Sequence, residues 1–212
     1  MKNIYIIGHG GQAKEVAQYI RDINVDLPQW QLIGYTTADH DYLGAKVGSD
    51  EICILDSDLL TLEGAPHAVI GVGFPSLIAR IATQLAAAAH ICRPNLIHPR
   101  AYLAQRVEMG QGNIVAPGAI ISVDVTLGSH NLINWNVTLG HDAILGNHNV
   151  LNPGANISGA VKVGDQVLVG TGARILQGLT ICDNAIIGAG AVVTRDILEP
   201  GTYVGMPARR IR

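Results

Sequence analysis

The amino-acid sequence predicts two structural parts: a small α/β domain over residues 1–91 and a parallel β-solenoid over residues 92–212, which includes a carboxyl-terminal tail. Aliphatic residues recur at every sixth position, without interruption, through most of the second part. The first part instead alternates short apolar runs with helical patterns, and Pro94 and Pro99 mark an extended connection between the two. The repeated aliphatic positions are Ile97, Leu103, Met109, Val115, Ile121, Leu127, Ile133, Leu139, Leu145, Leu151, Ile157, Val163, Val169, Ile175, Ile181, Ile187 and Val193.

The period of six fits neither an α-helix nor an isolated strand. It fits a solenoid in which each hexad forms a short strand and a turn, and three hexads complete one triangular coil. Coils stacked about 4.8 Å apart place each aliphatic residue over its counterpart eighteen positions later. Burial of each aliphatic side chain contributes roughly 1.5–3 kcal/mol before entropy is counted, so the stacked repeat forms its own core.

Asparagine and glycine recur at fixed positions inside the repeat, and each allows a further structural prediction. Asn113, Asn131 and Asn149 lie eighteen positions apart, so we expect one column of buried amides that bond one another or the backbone. Glycine often follows the aliphatic residue, and we expect these glycines where the backbone turns at positive φ. They are Gly110, Gly128, Gly140, Gly146, Gly164, Gly170 and Gly188.

The amino-terminal part alternates strands with helices, which favours a small parallel, Rossmann-like α/β unit. The predicted strands are Asn3–Ile7, Leu32–Tyr35, Ile52–Leu55 and Ala68–Val72, and the predicted helices are Ala13–Asp22 and Ser76–Ala88.

Glycines between the first strand and the first helix match the G-x-G-x-x-A dinucleotide fingerprint, from Gly8 to Ala13. We do not expect a NAD site. The second strand ends in Thr36 and Thr37, without an acidic residue for the ribose, and the unit is about half the size of a dinucleotide domain. Two interpretations stay open: a turn that only fits helix to strand, or a cradle for part of a nucleotide-sugar.

Composition excludes several classes of partner. A net charge of −3 with 15% charged residues does not indicate nucleic acid or an anionic membrane surface. No apolar run approaches a membrane span, and residues 1–11 read as a first strand, not a signal peptide. Three widely spaced cysteines are typical of reduced thiols, so we expect a cytoplasmic protein.

Chemistry on a solenoid must come from side chains that point outward at the turns. His141 and Asp142 directly follow Leu139 and Gly140, so both are expected to face outward at one corner. Histidine is the side chain best suited to accept a proton near neutral pH, and a neighbouring carboxylate can fix its tautomer. Alone, such a pair is more often a solvated turn.

His130 and His148 lie eighteen positions apart at equivalent turns, so we expect them to stack. With His141 they could form a three-imidazole zinc site across a subunit interface, as in a solenoid carbonic anhydrase. Incidental surface histidines are the more common case.

The hexads resemble the left-handed parallel β-helix of the hexapeptide-repeat acyltransferases. At full length the chain resembles bacterial sugar acetyltransferases of the sialic acid O-acetyltransferase and nucleotide-amino-sugar N-acetyltransferase family. Beside the hexads and the His141-Asp142 pair, the segments that carry this resemblance are Ile4–Ala13, Gly34–Thr37, Val69–Arg80 and Val204–Arg209.

The resemblance implies an acetyl-CoA-dependent N-acetyltransferase that acts on a nucleotide-linked amino sugar in surface-glycan synthesis, such as that of lipopolysaccharide or capsule. His141 would be the general base, Asp142 would raise its basicity, and the acceptor would attack the thioester directly. It also implies a homotrimer with active sites between subunits and no metal. The implied coenzyme A contacts are Gly159, Thr171, Ala189 and Arg209. The implied nucleotide-sugar contacts are Gly10, Gly11, Gln12, Thr36, Thr37 and Gly73.

The chain departs from the family pattern at several positions. Val150 stands where the family commonly has a second histidine, Thr36 and Thr37 replace acidic residues, and Gln12 replaces a histidine. Three alternatives stay open: O-acetylation of a sugar, a solenoid zinc hydratase, and a non-catalytic trimeric subunit.

Overall fold

The computed structural model describes residues 1–211, without the side chain of residue 26. The amino-terminal part begins with strand β1 and helix α1, as the sequence predicts, and ends with helix α3. Its elements are β1 (Lys2–Ile7), α1 (Gly11–Asp26), β2 (Trp30–Thr37), β3 (Lys46–Val47), β4 (Asp50–Leu55), α2 (Asp56–Leu59), β5 (His67–Ile70) and α3 (Pro75–Ala87), with a 3₁₀ turn at His40–Tyr42. No helix among these is long and apolar enough to cross a membrane.

The five strands form one sheet in the order β3-β4-β2-β1-β5. All neighbours pair in parallel except β3 with β4, so the carboxyl ends of β4, β2, β1 and β5 meet at one edge. Helix α1 packs tightly at this edge, because a Cβ on Gly71 would lie 2.5 Å from Ile6 Cγ2 and 2.9 Å from Ala13 Cβ. Loops after these strand ends therefore surround a common crevice.

The second part is a parallel β-helix of two-residue strands. These strands are β6 (Leu96–Ile97), β7 (Tyr102–Leu103), β8 (Glu108–Met109), β9 (Ile114–Val115), β10 (Ile120–Ile121), β11 (Thr126–Leu127), β12 (Leu132–Ile133), β13 (Thr138–Leu139), β14 (Ile144–Leu145), β15 (Val150–Leu151), β16 (Asn156–Ile157), β17 (Lys162–Val163), β18 (Leu168–Val169), β19 (Arg174–Ile175), β20 (Thr180–Ile181), β21 (Ala185–Ile187) and β22 (Val192–Val193). The chain then forms β23 (Gly201–Val204) and β24 (Arg209–Arg210), an antiparallel hairpin.

Each solenoid strand pairs in parallel with the strand one coil away, which gives three sheets. Two of them have six and five strands, and the third has eight because it also includes β23 and β24 of the terminal hairpin. Leu139, for example, lies between Ile121 and Ile157 in register, as the eighteen-residue repeat predicts. The aliphatic column is buried from Val115 onward, whereas Ile97 on the first coil is 36% exposed because no coil covers it. The predicted left-handed parallel β-helix, preceded by a small α/β domain, is confirmed.

The expectation that the glycines after the aliphatic residues have positive φ is wrong. The left-handed residue is instead the third after the aliphatic one, for example Asp142 at φ 59° and Ala160 at φ 56°. Glycine directly after the aliphatic residue is required by close stacking: a Cβ on Gly140 would lie 2.4 Å from the Gly159 nitrogen. Glycine is needed at these positions because the next coil leaves no room for a Cβ atom, and not because the backbone adopts a positive φ.

The predicted asparagine column is confirmed, and Asn131 is its centre. The Nδ2 of Asn131 donates to Asn113 Oδ1 at 3.0 Å and to the Gly146 carbonyl at 2.9 Å. Its Oδ1 accepts the backbone N–H of Asn149 at 2.9 Å. Since Asn131 is 1% exposed, these bonds satisfy polar groups that water cannot reach.

Helix α1 and the solenoid share an interface. The outward residues of the eight-stranded sheet, Leu96, Ile114, Leu132 and Val150, are buried in the same cluster as the α/β core. Polar contacts flank this cluster: His98 Nε2 lies 2.9 Å from Asp22 Oδ2, and Trp135 Nε1 donates to Glu15 at 3.3 Å. The eight-stranded sheet thus carries the α/β part on its outer face.

Replacement of Asn131 tests the importance of the column. Asn131→Ala leaves the Asn149 N–H and the Gly146 carbonyl buried without their partner, so the free energy of unfolding should fall by roughly 2–4 kcal/mol. Urea unfolding followed by circular dichroism measures it. Thr126→Ala, at an exposed strand position, is the control and should change stability little; equal effects of the two variants would contradict the assigned role.

Candidate active site

His141 and Asp142 occupy a corner of the solenoid, directly after β13. The Nδ1 of His141 lies 2.6 Å from Asp142 Oδ2, and both side chains are more than half exposed. Backbone bonds fix the turn, since the Asp142 N–H donates to Val123 and the His141 carbonyl accepts from Ala160. With the proton on Nδ1 directed at the carboxylate, Nε2 is left as a bare acceptor.

Gly159 lies one coil below His141 and determines where the imidazole can lie. A Cβ on Gly159 would be 2.6 Å from His141 Nε2 and 2.7 Å from its Cε1. The missing side chain therefore lets the ring lie directly against the next coil. One of the residues predicted to contact coenzyme A thus adjoins the predicted base.

Thr171 and Ala189 lie elsewhere on the prism. Thr171 follows β18 in the eight-stranded sheet, whereas His141 follows β13 in the six-stranded sheet. Both Thr171 and Ala189 are exposed, and they stack one coil apart, where Gly190 N–H donates to the Thr171 carbonyl. Within one chain, the predicted coenzyme contacts therefore divide between two corners.

Arg209, the fourth predicted coenzyme contact, lies on the terminal hairpin. It lines a cavity of about 200 Å³ together with Arg195, Thr194 and Tyr203. Residues 141, 159 and 177 form one column, here called the His141 edge, in which the N–H groups of Ala160 and Gly178 donate one coil back. Arg195 follows Val193 of the last strand in the same sheet, at a corner that is two residues shorter, since Ile197 bridges Ile181. Guanidinium groups suit phosphate, and sequence reasoning missed Arg195.

A cavity of about 680 Å³ opens at the carboxyl ends of the α/β strands. Of the six predicted nucleotide-sugar contacts, Gly10 and Thr37 line it, and Gly11, Gln12, Thr36 and Gly73 do not. Thr36 is fully buried behind the cavity, where its hydroxyl donates to Asp56. Gln12 and Gly73 adjoin each other, because a Cβ on Gly73 would lie 4.0 Å from Gln12 Oε1.

Five polar residues of this cavity escaped the sequence reasoning. They are His9, Asp56, Ser57, Arg80 and Gln84. Asp56 had a detectable signal, since it directly follows β4, and residues after parallel strands gather at the ligand-binding edge. His9 lies inside the glycine loop, 3.4 Å from the Thr37 hydroxyl.

The histidine pair at another corner does not join the His141 edge. The rings of His130 and His148 stack with centroids 6.0 Å apart, as predicted, and they follow strands of the five-stranded sheet. Among residues 1–211 no group of three or more His, Cys, Asp or Glu could hold a metal ion. Val150 is fully buried beneath the α/β part, so it has no access to the corner of His141.

The pKa of His130 is lowered to about 4. Burial is the main cause, and the nearby charges of His148 and Arg93 lower the pKa further. Burial also lowers the pKa of His148. Both rings are therefore neutral at pH 7, which suits a packed stack within the solenoid.

The fold defines a structural class: an α/β domain carried on a hexapeptide-repeat solenoid. A family model described as "Bacterial transferase hexapeptide (six repeats)" matches residues 160–195. No curated protein sequence matches the chain significantly.

Solved structures extend the likeness to the whole chain. The acetyltransferase domain of PglB from Neisseria gonorrhoeae, in complex with acetyl coenzyme A, is 27% identical, with a TM-score of 0.89 and 99% of each chain covered. A histidine-to-asparagine variant of perosamine N-acetyltransferase from Caulobacter crescentus, in complex with CoA and GDP-perosamine, is 29% identical. Its TM-score is 0.90, with 99% of this chain and 97% of that chain covered.

WeeI from Acinetobacter baumannii, at 23% identity, shares the fold, with a TM-score of 0.88 and all of both chains covered. Because an acetyltransferase domain crystallised with acetyl coenzyme A and a sugar N-acetyltransferase crystallised with CoA share the full-length fold, the predicted resemblance, enzyme class and co-substrate are confirmed.

The neutral state of His130 predicts a pH-dependent stability. The unfolded histidine binds a proton below about pH 6.5 and the folded one only below about pH 4, so stability is complete above pH 6.5 and falls between these values. Between about pH 7.5 and about pH 5 the loss should be about 2 kcal/mol. Urea unfolding at the two pH values measures it.

His130→Asn is the matched control, because asparagine tolerates the left-handed conformation that His130 adopts at φ 57°. The variant should lose less stability over the same pH interval than the original protein. The same loss in both proteins would show that His130 titrates normally in the folded state.

Proposed function

We propose that the protein transfers the acetyl group of acetyl-CoA to the amine of a nucleotide-linked amino sugar. The observation that carries this proposal is the hydrogen-bonded His141-Asp142 pair, whose half-exposed imidazole keeps one nitrogen free as an acceptor on the solenoid edge. Perosamine N-acetyltransferase, crystallised with CoA and GDP-perosamine, shares the full-length fold and supports the choice of acceptor.

In the proposed reaction His141 Nε2 accepts a proton from the acceptor amine as its nitrogen attacks the thioester carbonyl carbon. Asp142 holds the Nδ1 proton and stabilises the imidazolium that forms. The tetrahedral intermediate then collapses: the C–S bond breaks, and the coenzyme thiolate takes the proton from His141. The products are the amide and free coenzyme A, without a covalent acyl-enzyme.

Coenzyme A would lie along the His141 edge, with its thioester at His141 and Gly159 and its phosphates toward Arg195 and Arg209. Thr171 and Ala189 occupy a different corner, so they could reach the same coenzyme only from a neighbouring copy. A groove between copies of a homotrimer accommodates this division. Exposed apolar side chains on the outer face of the six-stranded sheet, Tyr102 and Ile120, suit such packing.

The cavity of the α/β part would hold the nucleotide of the acceptor. Gly10 ends the glycine loop and Gly11 begins α1, so backbone N–H groups at this helix start suit a diphosphate. The volume of about 680 Å³ lies within the usual range for small-molecule sites. We place the reaction in the cytoplasm, in the synthesis of a surface glycan such as lipopolysaccharide or capsule.

Replacement of the proposed base tests the mechanism. His141→Ala should lower kcat by about 10²–10⁴, because the amine loses its proton acceptor. The assay follows thiol release from acetyl-CoA with a panel of nucleotide-linked amino sugars. His90→Ala, at an exposed position outside the site, is the control. Unchanged turnover in His141→Ala would remove His141 from the reaction.

The position of the imidazole is tested separately. Gly159→Ala places a methyl group against the His141 ring, so kcat should fall about tenfold or more through misplacement of Nε2. Gly128→Ala introduces a comparable clash at another corner, against Asn147 and Gly146, and controls for general packing strain. Equal kcat values for the two variants would contradict the positioning role of Gly159.

A further inference from the structure

Asp56 presents a carboxylate at the end of the α/β cavity that lies farthest from the glycine loop. Oδ1 of Asp56 accepts the hydroxyl hydrogen of Thr36, which is fully buried. Oδ2 has no hydrogen-bond partner among residues 1–211. The side chain is therefore held in one orientation, and a charged acceptor is left over beside the cavity.

The sheet fixes the distance between Asp56 and the glycine loop. The loop follows β1 and Asp56 follows β4, and β2 lies between them. At about 4.8 Å per strand, the two ends of the cavity are about 10 Å apart. A nucleotide whose diphosphate lies at the glycine loop places its ribose near β2 and its base near β4.

The surroundings of Asp56 suit a planar base. Leu60 and Ile81 line the main cavity and a smaller adjoining one, and Asp56 borders both. Apolar side chains that line a cavity together with a single fixed carboxylate are the usual features of a site that stacks a base and hydrogen-bonds its edge.

The carboxylate accepts hydrogen bonds and donates none. Guanine offers it two adjacent donors, N1–H and the N2 amino group. Uracil and thymine offer one N–H between two carbonyl oxygens, and these oxygens would face the negative charge. Adenine and cytosine each place a bare ring nitrogen beside the amino group, and this nitrogen would face the negative charge. A fixed carboxylate at this position therefore selects guanine among the four bases.

We propose that Asp56, oriented by Thr36, determines the nucleotide specificity of the acceptor by binding the N1–H and N2 amino group of a guanine base. The inference rests on the proposed function, since it assigns the base of the nucleotide-linked sugar. Thr36 acts as a positioning residue through Asp56.

Calorimetric titration of the full-length protein with GDP, IDP and UDP tests this assignment. IDP differs from GDP only by the missing amino group, so the unmodified protein should bind GDP about tenfold more tightly than IDP and more tightly still than UDP. In Asp56→Asn, GDP binding should weaken about 10–100-fold, and the difference between GDP and IDP should largely disappear. Asp58→Asn, an exposed carboxylate on the same short helix, is the control and should keep the preference.

The possible failures are distinguishable. Equal binding of GDP and IDP by the unmodified protein, a preference for UDP, or an equal loss of GDP and IDP binding in Asp56→Asn would overturn the role of Asp56 and leave the acetyltransferase proposal intact. No binding of any nucleoside diphosphate would overturn the nucleotide-linked acceptor as well. The comparison of GDP with IDP uses the unmodified protein, so it does not depend on the folding of a variant.

Discussion

Parallel pairing between coils, eighteen residues apart, is the constraint on which the rest of the molecule depends. It fixes the height of every residue and the face or corner on which it lies. The stacking is close enough that Gly140 cannot carry a side chain above Gly159. The same closeness brings the imidazole of His141 against the next coil, so the position of the ring follows from the spacing of the backbone.

Attachment of the α/β part follows from the same geometry. Outward residues of the two-residue strands normally face solvent, but Leu96, Ile114, Leu132 and Val150 form a continuous apolar strip that the α/β core covers. The pairs Asp22-His98 and Glu15-Trp135 flank this strip and connect α1 to different coils. The cavity of the α/β part is therefore held at a fixed height and on a fixed side of the solenoid.

Much of the fold and part of the candidate site could be predicted from the sequence, because each six-residue repeat contains the apolar and turn residues that define one side of a coil. The hexads determined the fold and the asparagine column, and the same count placed His141 and Asp142 on a corner. The glycines after the aliphatic residues were misinterpreted, since a sequence shows that a residue is small but not whether space or backbone conformation demands it. Asp56 follows a predicted strand and could have been noticed for that reason, but its contact with Thr36 could not be predicted, because β2 and β4 are not consecutive in the chain. The sequence did not show that Thr171 and Gly159 lie at different corners of one chain. Under the proposed binding mode, the two residues contact the same coenzyme only if they come from neighbouring copies.

The coil also restricts how such a chain can change in length during evolution. Insertion or removal of six residues would rotate everything that follows onto the next face and would separate His141 from Arg195. A change of eighteen residues instead lengthens or shortens the prism by one layer, about 4.8 Å, and keeps every column intact. The distance between His141 and the basic terminus can therefore change only in steps of one whole coil.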